Sequence, residues 1–213
     1  MNINDKYYYM IRTKKELLFY IMADSMMNRG YFKPSIKQRI HSFFSPDYIM
    51  DFLVVMRKVD YFSHSKGGIQ LKYYRHKLKN LSLKLGFSIE PDVFGYGLII
   101  PHYGTIVVGP NNKIGNYAVL HTSTCITSRP KSIGDYFYLS TGAKVITGEN
   151  IGDNVMVSAN SVVIKGCIGG NALLVGAPAY RKKTIPAWFE YQGNTNTINR
   201  IRLVERLKKS IGL

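Results

Sequence analysis

Aliphatic residues recur at every sixth position through the middle of this chain, and few folds tolerate that spacing. Val108, Ile114, Leu120 and Ile126 are six apart. The series slips by one at residues 128–131 and resumes with Ile133, Leu139, Val145, Ile151, Val157 and Val163. The next position is often small: Gly109, Gly115, Gly134, Ser140, Gly152 and Ser158. An amphipathic helix repeats at roughly 3.6 residues and a half-buried strand at 2, so neither gives this pattern. Sandwich strands recur at roughly 8–12 residues. A hexad instead supplies one short strand, one turn and one inward aliphatic side chain. Three hexads then close a triangular coil, and stacked coils share one apolar core. Glycine after the aliphatic position lets the chain turn without a Cβ clash.

Helical patterns flank the repeat. Leu17, Leu18, Ile21 and Met22 are spaced as the inward face of a helix that Gly30 and Pro34 end. Ser45-Pro46-Asp47 reads as an N-cap with proline at the first helical position. The helix it opens turns Ile49, Phe52, Leu53, Met56 and Val59 inward. A further helix buries Leu71, Tyr74, Leu78, Leu81 and Leu85 and stops at Gly86, with Lys72, Arg75 and Lys79 on its other face. Beyond the repeat come Arg181-Lys182-Lys183, Trp188, a polar linker over residues 193–197 and a basic helix. That helix points Ile201, Val204, Leu207 and Ile211 inward and packs back on the coil or on a neighbouring subunit. The expected class is α+β: a helical N-terminal domain over residues 1–86, a β-helix domain over 87–180, and a basic tail and helix over 181–213.

The 29 Lys and Arg outnumber the 13 Asp and Glu, for a formal charge of +16. The excess sits in the flanks: residues 1–86 carry +10, residues 87–180 are neutral and residues 181–213 carry +6. Such flanks attract a polyanion, whether a phosphorylated co-substrate, an acidic glycan or a membrane surface. No nucleic-acid-binding module is visible, so specific nucleic-acid recognition is not expected. Two cysteines, Cys125 and Cys167, make no disulfide scaffold and fit a reducing compartment. No apolar run approaches the ~18 residues of a membrane span. The opening residues MNINDKYYYM lack a basic stretch followed by an apolar one, so a cytoplasmic location is expected.

Residues 94–109, FGYGLIIPHYGTIVVG, resemble the active-site region of serine O-acetyltransferases, members of the left-handed β-helix (hexapeptide) acyltransferases. The resemblance continues through residues 139–144 and 157–163 and closes with residues 175–179, VGAPA. The helical stretches 56–62 and 81–89 are similar to a branch found among polysaccharide-synthesis proteins. The resemblance implies a left-handed coil, a homotrimer and acetyl-CoA as co-substrate. It implies that His102 is the catalytic general base, taking a proton from an acceptor hydroxyl as the oxygen attacks the thioester. It places the pantetheine arm along turns occupied here by Thr141, Gly142, Ala159 and Asn160, then Gly176 and Ala177. Lys182 and Lys183 would meet the nucleotide phosphates. Tyr103, His121 and Arg129 are the candidate acceptor contacts.

Several positions depart from the serine-specific pattern. Pro101 stands where those enzymes carry an aspartate before the histidine. Ser128-Arg129 stand where they carry an Arg-His pair. Ser88 stands where they carry the aspartate that orients the catalytic ring, leaving Glu90, Asp92 or a backbone carbonyl for that task. These departures and the charge favour acetylation of a sugar hydroxyl, in an acidic capsular or extracellular polysaccharide or its lipid-linked precursor. Peripheral association with a membrane surface accompanies that expectation. Serine O-acetylation is the alternative, and N-acetylation of an amino sugar uses the same fold. A catalytically silent trimeric scaffold that binds a polyanion is the reading from another class. Only His102 and His121 lie in the repeat, short of the three protein ligands of a catalytic zinc site, so no metal is expected.

Overall fold

The computed structural model describes residues 11–213, and the opening stretch MNINDKYYYM lies outside them. Four helices come first: α1 (Lys14–Arg29), α2 (Ile36–Phe44), α3 (Tyr48–Ser63) and α4 (Gly68–Leu85). Thr13 and Glu16 form a capping box on α1, and Gly30 closes it at φ +80°. Asp47 caps α3, so Pro46 precedes the cap rather than opening the helix. Gly86 ends α4 at φ +77°, where a side chain would press on the backbone of Gly104.

The repeat folds as a left-handed parallel β-helix of about five coils with three strand ladders. One face stacks β1 (Phe87–Ile89), β2 (Ile106–Val108), β5 (Thr124–Ile126), β8 (Lys144–Val145) and β10 (Val162–Val163). A second carries β3 (Asn112–Ile114) and β6 (Lys131–Ile133), extended by bridges at Phe94, Ile151 and Cys167. The third stacks β4 (Val119–Leu120), β7 (Tyr138–Leu139), β9 (Val155–Val157), β11 (Ala172–Val175) and the antiparallel β12 (Tyr180–Thr184). Every aliphatic position of the hexad series is buried, from Val108 through Val163. The slip in the series is a loop that Lys131 fastens. Its ammonium is buried and donates to Asn112 Oδ1 at 2.9 Å, Thr127 O at 3.0 Å and Arg129 O at 2.6 Å.

The helices attach to the first coil through a buried charge cluster. Arg57 of α3 is fully buried; its Nε donates to Asp24 Oδ2 of α1 at 2.8 Å. Its Nη1 donates to Phe94 O at 2.8 Å and its Nη2 to Gly95 O at 2.6 Å. Asp24 also accepts from Leu98 N at 2.9 Å, and Asp60 lies 3.5 Å from Arg57. The helices α3 and α4 bury the expected Ile49, Phe52, Leu53, Met56, Val59, Leu78, Leu81 and Leu85. In α1 the expected face is corrected: Leu18 is exposed, and Phe19, Tyr20, Ala23, Met26 and Met27 are buried. The aromatic rings of Tyr96 and Tyr20 flank Phe19, and that cluster sets the rotation of the helix.

After β12, α5 (Trp188–Tyr191) and α6 (Thr195–Ser210) fold back onto the coil and α1. Asn194 caps α6 inside the stretch expected to be a linker. Glu205 accepts from Tyr96 Oη at 2.9 Å and from Tyr117 Oη, while Arg200 donates to Met27 O at 2.9 Å. No helix among the described residues is long and apolar enough to cross a membrane.

Removing one member of a buried ion pair leaves the other charge without a partner. Arg57→Met, which also orphans the carbonyls of Phe94 and Gly95, is expected to cost about 3–5 kcal/mol in urea unfolding. A loss below about 1 kcal/mol would mean that the cluster does not hold the helices to the coil.

Candidate functional site

His102 sits at the corner of the first coil between the bridge at Ile99 and strand β2. Its turn is pinned to the end of α4: Gly104 N donates to Leu85 O at 2.9 Å, and Ile106 N to Gly86 O at 3.2 Å. Below it, the corresponding corners stack in register. Gly142 N donates to Thr122 O at 3.1 Å, Asn160 N to Thr141 O at 3.0 Å, and Val162 N to Gly176 O at 2.9 Å. One column of turns therefore runs from His102 through His121, Thr141, Gly142, Ala159 and Asn160 to Gly176 and Ala177. Thr141, Ala159, Asn160, Gly176 and Ala177 are all exposed along it. Gly142 (φ +75°) and Asn160 (φ +56°) supply the left-handed conformation these corners need. Small side chains and accessible backbone along one edge suit a thin amide-bearing chain such as pantetheine.

His102 is exposed and lines a cleft of about 550 Å³. The opposite wall comes from the N-terminal helical segment: Arg29, Tyr31, His41, Asp47 and Tyr48. Tyr103 lines it too. Arg29 pairs with Asp47, whose other oxygen accepts from Met50 N at 3.1 Å. No side chain among the described residues hydrogen-bonds the His102 ring. Asp92 is engaged elsewhere: its Oδ2 lies 2.9 Å from His64 Nε2 and accepts from Ser63 Oγ at 3.2 Å. Ser88 and Glu90 line a separate groove with Arg75 and Lys79.

His121 lies one coil below, half-buried, with Nε2 2.8 Å from Tyr138 Oη. It lines a neighbouring cavity of about 400 Å³ with Asn28, Trp188 and Arg200, and Pro101 borders both cavities. Burial, then the nearby His102 charge, hold the His121 pKa below the ordinary histidine value. Arg129 occupies a different corner, between β5 and β6 and beside Gly148, and does not line the His102 cleft. Lys183 lies over the Tyr191 ring at 4.7 Å, while Lys182 is exposed on β12. His41 lines the same cleft as His102. No spacing rule links residue 41 to residue 102; only the docking of the helices brings them to one cavity.

No family model matches the chain. A serine acetyltransferase of Synechococcus elongatus is 29% identical over 110 residues, spanning 47% of this chain and 45% of that one. One from Helicobacter pylori is 29% identical over 102 residues, covering 44% and 59%. The matched segments span about half the length of these curated relatives. Among solved structures, the serine acetyltransferase of Brucella abortus superposes with a TM-score of 0.60 at 17% identity, covering 80% of this chain and 69% of that one. The Neisseria gonorrhoeae enzyme gives 0.59 at 17%, covering 86% and 72%. The likeness to these structures establishes the fold.

In an NMR titration, the His121 ring is expected to have its midpoint below the ordinary histidine value. His102→Ala should raise it by removing a like charge. An unchanged His121 midpoint would separate the two rings electrostatically.

Proposed function

We propose that this chain is an acetyl-CoA-dependent O-acetyltransferase with His102 as its general base. The single observation that carries the reading is the position of His102: exposed at the head of a column of open, small-residue turns and facing a cleft. Thr141, Gly142, Ala159, Asn160, Gly176 and Ala177 would hold the pantetheine arm, and Lys182 and Lys183 would neutralise the nucleotide phosphates. The acceptor would enter the cleft between His102, Tyr103 and the helical wall. His102 takes the hydroxyl proton as the acceptor oxygen bonds to the thioester carbonyl carbon. The imidazolium then gives that proton to the thiolate as the carbon–sulfur bond breaks. Backbone N–H groups of the turns are the available oxyanion donors.

L-Serine is the first acceptor to test. The curated relatives are named serine acetyltransferases, and the soybean structural neighbour, with a TM-score of 0.57, was solved with serine. This favours the serine alternative over the polysaccharide acceptor expected from charge, for which the comparisons offer no support. Pro101, in place of the aspartate of the serine-specific pattern, keeps a sugar hydroxyl as the second reading. In the trimer this reading includes, Arg129 would reach an acceptor only from a neighbouring copy, because its own cleft does not contain it.

Thiol release from acetyl-CoA with L-serine is expected for the wild type, with a loss of about 10²-fold or more in His102→Ala. Acetyl-CoA binding should persist in that variant. Turnover with sugars alone would move the reading to the second acceptor class. Full activity in His102→Ala would remove the base assignment.

A further inference from the structure

The helix α2 leaves its apolar side uncovered. Its sequence, IKQRIHSFF, places Ile36, Ile40, Phe43 and Phe44 on one stripe, at the spacing of an inward-facing helix. Yet none of its residues is buried. Those four side chains are 57–80% exposed, and the rings of Phe43 and Phe44 meet edge to face at 5.3 Å. The polar side, Gln38, His41 and Ser42, is exposed as well and borders the His102 cleft. Projected down the helix axis, Lys37 and Arg39 fall at the two edges of the apolar stripe. A helix this short is marginal in water by propensity alone, so its capping box of Ser35 and Gln38 acts without apolar packing behind it.

We infer that the apolar face of α2 seats the protein on an anionic lipid surface. An aromatic-rich stripe between flanking cations is the pattern of a helix lying in a bilayer interface, where basic side chains reach the headgroups and the rings enter the acyl boundary. Charge complementarity supports that occupant: the segment before the repeat carries a net +10. A second copy of this chain fits poorly. Four side chains on one short helix fall well short of the roughly 800 Å² per partner of a stable interface. Because the other side of α2 walls the cleft, lipid binding would bring His102 to the membrane surface. The inference concerns attachment and is independent of acetyl transfer.

The test is co-sedimentation of the full chain with vesicles of phosphatidylglycerol mixed with phosphatidylcholine, beside vesicles of phosphatidylcholine alone. Wild type should sediment with the anionic vesicles and be released by salt. F43S/F44S should weaken binding about tenfold or more, and K37E/R39E should do likewise. The exposed positions leave the fold intact, which circular dichroism and solution mass check. Absence of vesicle binding by wild type would overturn the inference. So would binding unaffected by both double variants, which would assign it to other basic segments. A change in solution mass in F43S/F44S would also overturn it and make a second copy the occupant.

Discussion

The buried guanidinium of Arg57 is the constraint on which the site depends. The coil shares one continuous apolar core with α3 and α4. What it lacks is a wall beside the His102 corner. Arg57 supplies the attachment by binding Asp24 on α1 and the carbonyls of Phe94 and Gly95 on the coil. Asp24 returns the contact by accepting from Leu98 N. Three segments distant in sequence thus share one desolvated charge cluster. Its donors and acceptors must be satisfied together, because a buried charge without partners costs several kcal/mol. That requirement fixes the angle at which the helices meet the coil, and with it the space left beside His102.

The site combines two construction rules. The column of turns is a product of repetition: each corner stacks on the one above through backbone hydrogen bonds, so small residues become one continuous edge. The cleft wall is unique to this chain. It comes from the α1 terminus, α2 and the start of α3, held by the Arg29–Asp47 pair and by the docked helices. His102 stands where these two surfaces meet. His121, one coil lower, has its pKa lowered by burial and then by its neighbour. Of the carboxylates near the first coil, Asp92 is engaged with His64 and Asp47 with Arg29, while Glu90 faces a separate groove. The exposed ring of His102 therefore differs in its setting from a histidine oriented by an aspartate.

The hexad series was legible because its physical cause is local. Each coil needs one aliphatic side chain per face and a small residue at the turn, so the same demand is written repeatedly into the chain. Val108 through Val163 all reach the core. The α3 and α4 faces were legible for the same reason, since their buried residues follow one helical period. The α1 face was misread. Leu17, Leu18, Ile21 and Met22 satisfy the period, but Phe19 and Tyr20 gain more contact against Tyr96 and the C-terminal helix. Periodicity sets a helix's possible faces, and the neighbours choose among them. The helix α2 carries the same helical period, and only the tertiary structure shows that no protein core lies behind its stripe.

By itself, the sequence determined the period-six coil, its aliphatic core, the flanking helices and the candidacy of His102. These follow from short-range spacing and from residue types that the backbone geometry requires. Tertiary structure alone decided which residues share the His102 cleft. His41 and Asp47 enter it, while Arg129, Glu90 and Asp92 stay away. That choice depends on how far each coil corner is rotated from the next and on where the Arg57 cluster anchors the helices. Both are long-range geometric conditions, and a linear spacing carries no record of them.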